Sequence, residues 1–260
     1  MADPKKRLNG SARKGIRVIA RAAEVLRALE GRDDGLSLGQ LAKQLALPRS
    51  TVQRIVDALD AENFLVAASP NARVKLGPAL VRIGSSVRFQ IVEAARPFME
   101  QLSEETGETV DLSMLDQDKL VFLDQIPGSH RLRAVSAVGV SFPLHCSANG
   151  KALMAALEPV QLERLKKNLQ LSEHTPSTIT SWKKLAAELE RIREEGVAYD
   201  REEHSAGISA VAAVIHGPAG ELAAISIPTP TQRFTGMEAQ LKSRLIDCCA
   251  KMQQMMGNTH

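Results

Sequence analysis

An α+β fold in two unlike parts follows from three features of this 260-residue sequence. Residues 16–64 carry apolar side chains at helical spacing, broken by tight turns. Beyond residue 107, short apolar runs bounded by turn residues alternate with helical stretches, the pattern of an antiparallel sheet with helices on its faces. Charge divides along nearly the same line. Through Arg88 there are 16 Lys and Arg against 8 Asp and Glu, a net +8, and the remainder holds 17 against 22, a net −5. A basic first third on an acidic remainder implies a polyanion-binding module joined to a part with different work.

Residues 1–15 (MADPKKRLNGSARKG) show no periodicity and read as a disordered basic arm, suited to phosphate or minor-groove contacts. In 16–30, Ile19, Ala22, Ala23, Leu26 and Leu29 share one helical face, and Gly31 supplies the stop. Ser37 and Gln40 match a capping box for a short helix over 37–44, with Leu38, Leu41 and Ala42 inward. Leu45, Ala46 and Leu47 form a turn, and Pro48 opens a second helix, where a missing N–H is tolerated. There Val52, Ile55, Val56 and Leu59 line the buried side, while Arg49, Ser50, Thr51, Gln53 and Arg54 form the outer face. Those outer residues are the types that hydrogen-bond phosphates and base edges in a major groove. Arg54 and Gln53 suit guanine and adenine. Two apolar runs, 64–67 and 74–76, flank Ser69, Pro70, Asn71, Ala72 and Arg73 and predict a hairpin. A hairpin directly after such a helix is a wing, and Arg73 and Lys75 on it are placed for phosphate or minor-groove contacts. Residues 16–77 therefore read as a winged helix-turn-helix for double-stranded DNA.

Gly77 and Pro78 mark the start of a linker helix over 78–96, with the division between the two parts inside it, near Phe89. Pro97 marks a kink, and helix continues over 98–106 to Gly107. The second domain, 97–260, has strand candidates at 109–115, 119–126, 131–137, 196–200, 208–215 and 221–227. Helix candidates fall at 148–156, 159–169, 182–195 and 236–256, the last opened by a capping box of Thr235 and Glu238.

Other classes are disfavoured. No apolar run approaches a membrane span, and the basic N-terminus has no apolar segment of a secretory signal behind it, so a cytoplasmic protein is expected. Cys146, Cys248 and Cys249 fit neither a disulfide framework nor a paired metal motif and read as buried free thiols. Gly150-Lys151 lacks the upstream glycine of a phosphate loop; His145 and Cys146 stand there and read as packing residues. The run Asp200, Arg201, Glu202, Glu203, His204 reads as a solvated loop rather than a metal site. No nucleophile elbow, zinc-protease or dinucleotide motif is found, so no cofactor is expected. One site is legible physically: Ser147, Ala148, Asn149 and Gly150 open a helix whose free N–H groups can hold an anion.

Residues 16–80, above all LPRSTVQRIVDAL, resemble the winged helix-turn-helix of the IclR-type transcriptional regulators. LHCSANGKALMA, HTPSTIT (similar to a YTP motif), LERIREEGVAYDREEHSAGISAVAAVI and GELAAISIPTPTQRF resemble that family's effector-binding domain, in the same order and spacing. The resemblance implies a GAF-like ligand domain, a small organic acid as effector, and homodimers or homotetramers at palindromic operators. It also implies a pocket of Ala148, Asn149, Asp200, Ala210 and Ser226, with Leu132 and Leu144 as apolar walls. Many relatives have cysteine where Ala210 stands, so a ligand mode that uses a thiol is not expected here. Asn149 is more polar than usual at its position and is suited to donate to a ligand hydroxyl or carbonyl. Two other readings compete with the regulator: an enzyme acting on a small carboxylate through the second domain, and an architectural DNA-binding protein.

Overall fold

The computed structural model describes residues 8–67, 73–84, 90–217 and 220–257, and the chain divides into two compact units between Arg88 and Phe89. The first unit contains α1 (Leu8–Ala28), α2 (Leu38–Gln44), α3 (Arg49–Ala61), β1 (Leu65–Val66), β2 (Lys75–Leu76) and α4 (Pro78–Gly84). Its core joins Val25 of α1 and Leu29 just after it to Leu41 of α2, Val52 and Val56 of α3, and Leu65 and Val74 of the hairpin. The expected capping box is formed: Gln40 N–H donates to Ser37 Oγ at 3.2 Å, and Ser37 N–H donates to Gln40 Oε1 at 2.9 Å. Between α2 and α3 the chain reverses through Ala46 at φ 51°, and the carbonyl of Pro48, the N-cap of α3, accepts from Thr51 and Val52 N–H.

Two expectations change here. The first helix begins at Leu8, so the backbone of residues 8–15 is helical rather than part of an arm; residues 1–7 lie outside the described residues. Ile19 is 72% exposed rather than inward, because α1 reaches the core only from Ala22 onward. The hairpin pairs Leu65 with Leu76 and Val66 with Lys75, and an isolated antiparallel bridge joins Leu36 to Val74. The turn expected at its tip lies mostly outside the described residues. So does the middle of the expected linker helix, between α4 and α5.

The second unit contains α5 (Gln90–Thr106), β3 (Val110–Asp116), β4 (Lys119–Ile126), β5 (Ser141–Pro143), α6 (Ala148–Ala156), α7 (Pro159–Lys166), α8 (Trp182–Glu195), β6 (Ala198–Arg201), β7 (Ile208–His216), β8 (Leu222–Pro230) and α9 (Thr231–Gly257). Pro97 lies inside α5 without ending it. The strands form one antiparallel sheet in the order β5-β4-β3-β8-β7-β6. Strand side chains alternate between faces, and both faces are covered. Val211, Ala213, Ile225 and Ile227 pack with α5 and α9, while Ala210, Ala212 and Ala224 pack with α6 and α8. The small side chains of the second face let α6 sit so close that Ala148 through Ala155 are all buried.

Residues 131–137 are not a strand. Two of their carbonyls accept from side chains instead of a ladder: Arg233 donates to Leu132 O at 2.8 Å and Thr109 Oγ1 to Ala134 O at 2.7 Å. The edge of β4 is taken by the short β5, which the alternation pattern is too brief to reveal. The last helix starts at Thr231, so Thr235 is not a cap; its hydroxyl donates back to Thr231 O at 3.0 Å. Among the described residues no helix is long and apolar enough to cross a membrane.

Candidate functional site

In the first unit, α3 presents the expected outer face. Arg49, Ser50 and Arg54 are exposed and Thr51 and Gln53 half-buried, whereas Val52, Ile55 and Val56 are buried. Arg49 and Arg54 lie on the exposed side of a helix whose other side is fixed by the core, so their guanidinium groups have the reach a groove requires. Gln53 is less free: its Nε2 donates to Asp57 Oδ1 at 2.6 Å, a bond that reading a base edge would exchange. Lys75 is exposed on β2, and Arg73 donates to Gly35 O at 3.3 Å, which ties the turn side of the hairpin to the turn before α2.

In the second unit, a cavity of about 240 Å³ opens between the sheet and the N-terminus of α6. Ser147, Ala148, Asn149, Asp200, Ala210 and Ser226 all line it. Register explains the convergence: Ala210 pairs with Asp200, and Ser226 pairs with both Ala212 and Asp111. Ser147 Oγ accepts from Gly150 N–H at 3.3 Å, leaving the amides of Ala148 and Asn149 as the first-turn donors. Asn149 Nδ2 donates to Ser113 Oγ at 2.8 Å, so a ligand would meet the amide oxygen rather than the expected donor.

Three expected residues are elsewhere. Gly150 is a packing position, since a Cβ there would stand 2.3 Å from Leu144 O. Leu144 is fully buried beneath α6, and Leu132 is 68% exposed, presented outward by the loop that replaces the expected strand. The cavity wall that sequence reasoning missed comes from that loop and from aromatic residues: Arg133, Ala134, Val135 and Ser136, with Phe122, Phe142 and His204. The rings of Phe122 and Phe142 meet edge-to-face at 5.0 Å, and Phe142 stacks on His204 at 4.1 Å. Arg133 is exposed at the mouth.

Two carboxyls face this space. Burial pushes Asp111 up to about 6, against the pull of hydrogen bonds from Ser136 and Gln125, each at 2.7 Å. Burial likewise pushes Asp200 up to about 7, against the backbone N–H of Glu203 at 2.7 Å. An Asp whose folded pKa lies above its unfolded value binds more protons when folded, so its contribution to stability falls as pH rises from about 4 to about 7. Asp200→Asn keeps the acceptor oxygen and removes the charge. In thermal melts its advantage over the wild type should therefore grow between pH 4 and pH 7 and then level, at up to about 4 kcal/mol. A constant difference across that range would overturn the assignment of a near-neutral Asp200.

The run after Asp200 is not a solvated loop. Glu203 is buried and accepts from Lys151 Nζ at 2.5 Å, and Glu188 of α8 stands 3.4 Å from the same ammonium. Lys151 is completely buried. It is therefore a core ion-pair residue that anchors α6 to the chain following β6, not a phosphate reader.

A helix-turn-helix with an exposed cationic helix, in one chain with a domain built around a small-molecule cavity, defines a class: transcriptional regulators that couple a DNA-binding unit to an effector domain. Residues 18–68 match the IclR helix-turn-helix domain, and residues 84–254 match the bacterial transcriptional regulator IclR C-terminal domain. The chain belongs to the IclR family. It is 46% identical over 245 residues to the HTH-type transcriptional regulator Rv1719 of Mycobacterium tuberculosis, covering 94% of each chain. Among solved structures it resembles an IclR transcriptional regulator from Silicibacter sp. TM1040, with a TM-score of 0.79, 24% identity and coverage of 92% and 96%. It also resembles an IclR homolog complexed with 4-hydroxybenzoate from Microbacterium hydrocarbonoxydans, with a TM-score of 0.72, 21% identity and coverage of 93% and 100%.

Proposed function

We propose that this regulator senses a small organic acid, with an aromatic acid as the best fit, and binds a palindromic operator as a homodimer or homotetramer in the cytoplasm. Residues 16–77 supply DNA contacts and residues 97–260 the effector site. The observation that carries this reading is the cavity itself. An apolar cavity of roughly 150 Å³ is enough for benzene, so about 240 Å³ fits a substituted single ring. Phe122 and Phe142 supply edges for that ring, and the first-turn amides of α6, with Arg133 at the mouth, supply the anion site. Asp111 and Asp200 are disposed toward protonation and suit a ligand hydroxyl. The 4-hydroxybenzoate held by the Microbacterium homolog, a likeness of fold, has this shape and polarity. An effector that binds one subunit arrangement better than another would shift the spacing of paired α3 helices, and affinity for two half-sites with it.

The experiment is a thermal-shift screen of aliphatic and aromatic carboxylates, followed by operator gel-shift titration with each hit. A ligand present at 100 times its dissociation constant should add roughly 2.7 kcal/mol to stability, and at least one hit should change operator affinity. Stabilisation by no carboxylate sinks the ligand assignment. In the same titration Arg54→Ala should weaken operator binding by about 1–3 kcal/mol and relax one base preference. Wild-type affinity and preference in that variant would remove Arg54 from the base-reading set.

A further inference from the structure

Beside the effector cavity, but lining none of it, lies a second cluster that the function above does not use. His145, Cys146 and His174 each bring a ligand atom within 4.8 Å of the others, and the imidazole rings of His145 and His174 lie 6.0 Å apart. We propose that these three residues form a site for a thiophilic divalent cation of the Zn²⁺ type, which pins the segment carrying His174 to the turn before α6.

The chemistry of each group fits. His145 is fully buried, and its Nε2 lies 2.9 Å from Ser172 O. A carbonyl can only accept, so Nε2 carries the proton and Nδ1 keeps a bare lone pair. That Nδ1 is a buried atom without a hydrogen-bond partner among the described residues. A ring nitrogen held by a backbone carbonyl while the other is left for a cation is the usual support of a metal-binding histidine.

Cys146 is buried and brings a sulfur ligand of the kind a Zn²⁺-type ion takes. Binding exchanges the S–H bond for a metal–sulfur bond and releases one proton to solvent. His174 completes the set from the other side. It is exposed, its backbone N–H donates to Thr178 Oγ1 at 3.1 Å, and its ring stacks on His204 at 5.4 Å. Exposure at His174 gives the ion an entry path, and one Cys with two His leaves a tetrahedral ion a fourth position for water. Thr175 and Thr178 of the same segment donate to Glu202 O and Glu203 O at 2.5 and 2.6 Å. A cation there would thus brace the chain that carries His204 into the cavity wall.

The test is a Co²⁺ titration of the full-length protein without a polyhistidine tag. One ion per chain should bind, with a sulfur-to-cobalt charge-transfer band and the visible bands of tetrahedral Co²⁺, and Zn²⁺ should displace it. Cys146→Ser should abolish the charge-transfer band, and the surface variant His174→Gln should weaken binding at least tenfold while leaving the fold intact by circular dichroism. A Cys248→Ser/Cys249→Ser double variant should behave as wild type. No charge-transfer band at saturating Co²⁺, undiminished affinity in His174→Gln, or a band that follows Cys248 or Cys249 would each overturn the proposal.

Discussion

Lys151→Met should cost the second domain about 3–5 kcal/mol, among the largest single losses available in this chain. Lys151 Nζ is fully buried between Glu203 and Glu188, and one oxygen of Glu203, Oε2, already lacks a hydrogen-bond partner among the described residues. Removing the ammonium leaves carboxylates in a low-dielectric interior with nothing to offset their desolvation, the situation in which a broken buried pair is most costly. The sign with pH follows. Burial already raises Glu203, and loss of Lys151 raises it further. A carboxyl raised in the folded state loses stability as pH climbs, so the deficit should be larger at pH 8 than at pH 5. Adding Glu203→Gln should restore part of the loss, because neutral partners remove the uncompensated charge. Equal melting temperatures for wild type and Lys151→Met would show that the pair contributes little.

Gly150→Ala should be similarly damaging, by about 3 kcal/mol or more, for a steric reason. The added Cβ would lie 2.3 Å from Leu144 O and 2.5 Å from Leu144 Cα, and both are backbone atoms that no rotamer change can move. Either α6 lifts off or the turn before it deforms, and Ser147, Ala148 and Asn149 are displaced from the cavity in both cases. Denaturant melts should show the instability, and any folded fraction should bind effector more weakly than wild type. An unchanged midpoint with unchanged effector binding would mean that α6 packs less closely than the structure shows.

Both predictions concern two adjacent residues, and the sequence treats them very differently. Gly150-Lys151 resembles part of a phosphate loop in one dimension, and only the missing upstream glycine argues against it. The partner that explains Lys151, Glu203, is 52 residues away, in a run that composition alone assigns to solvent. Loop 131–137 shows the same limit. Its apolar spacing suits a strand, but Arg233, about a hundred residues later, and Thr109 take its carbonyls and turn it into the cavity wall. His174 joins His145 and Cys146 for the same reason, by a fold that spacing along the chain does not encode.

What the sequence determined by itself is what short-range periodicity and charge carry. The helix-turn-helix, its buried and outer faces, the wing, the alternation of the sheet strands and the helix-opening Ser147 follow from residues a few positions apart, where backbone geometry is set locally. Family likeness added Asp200, Ala210 and Ser226, which the strand register does bring to one cavity. What only the tertiary structure decided is the company these residues keep: Asp111 opposite Ser226, the aromatic edge of Phe122 and Phe142, and the burial that lifts Asp200 toward neutrality. Those depend on distant segments sharing one low-dielectric space. Desolvation and pairing there are properties of the packed volume rather than of any stretch of chain.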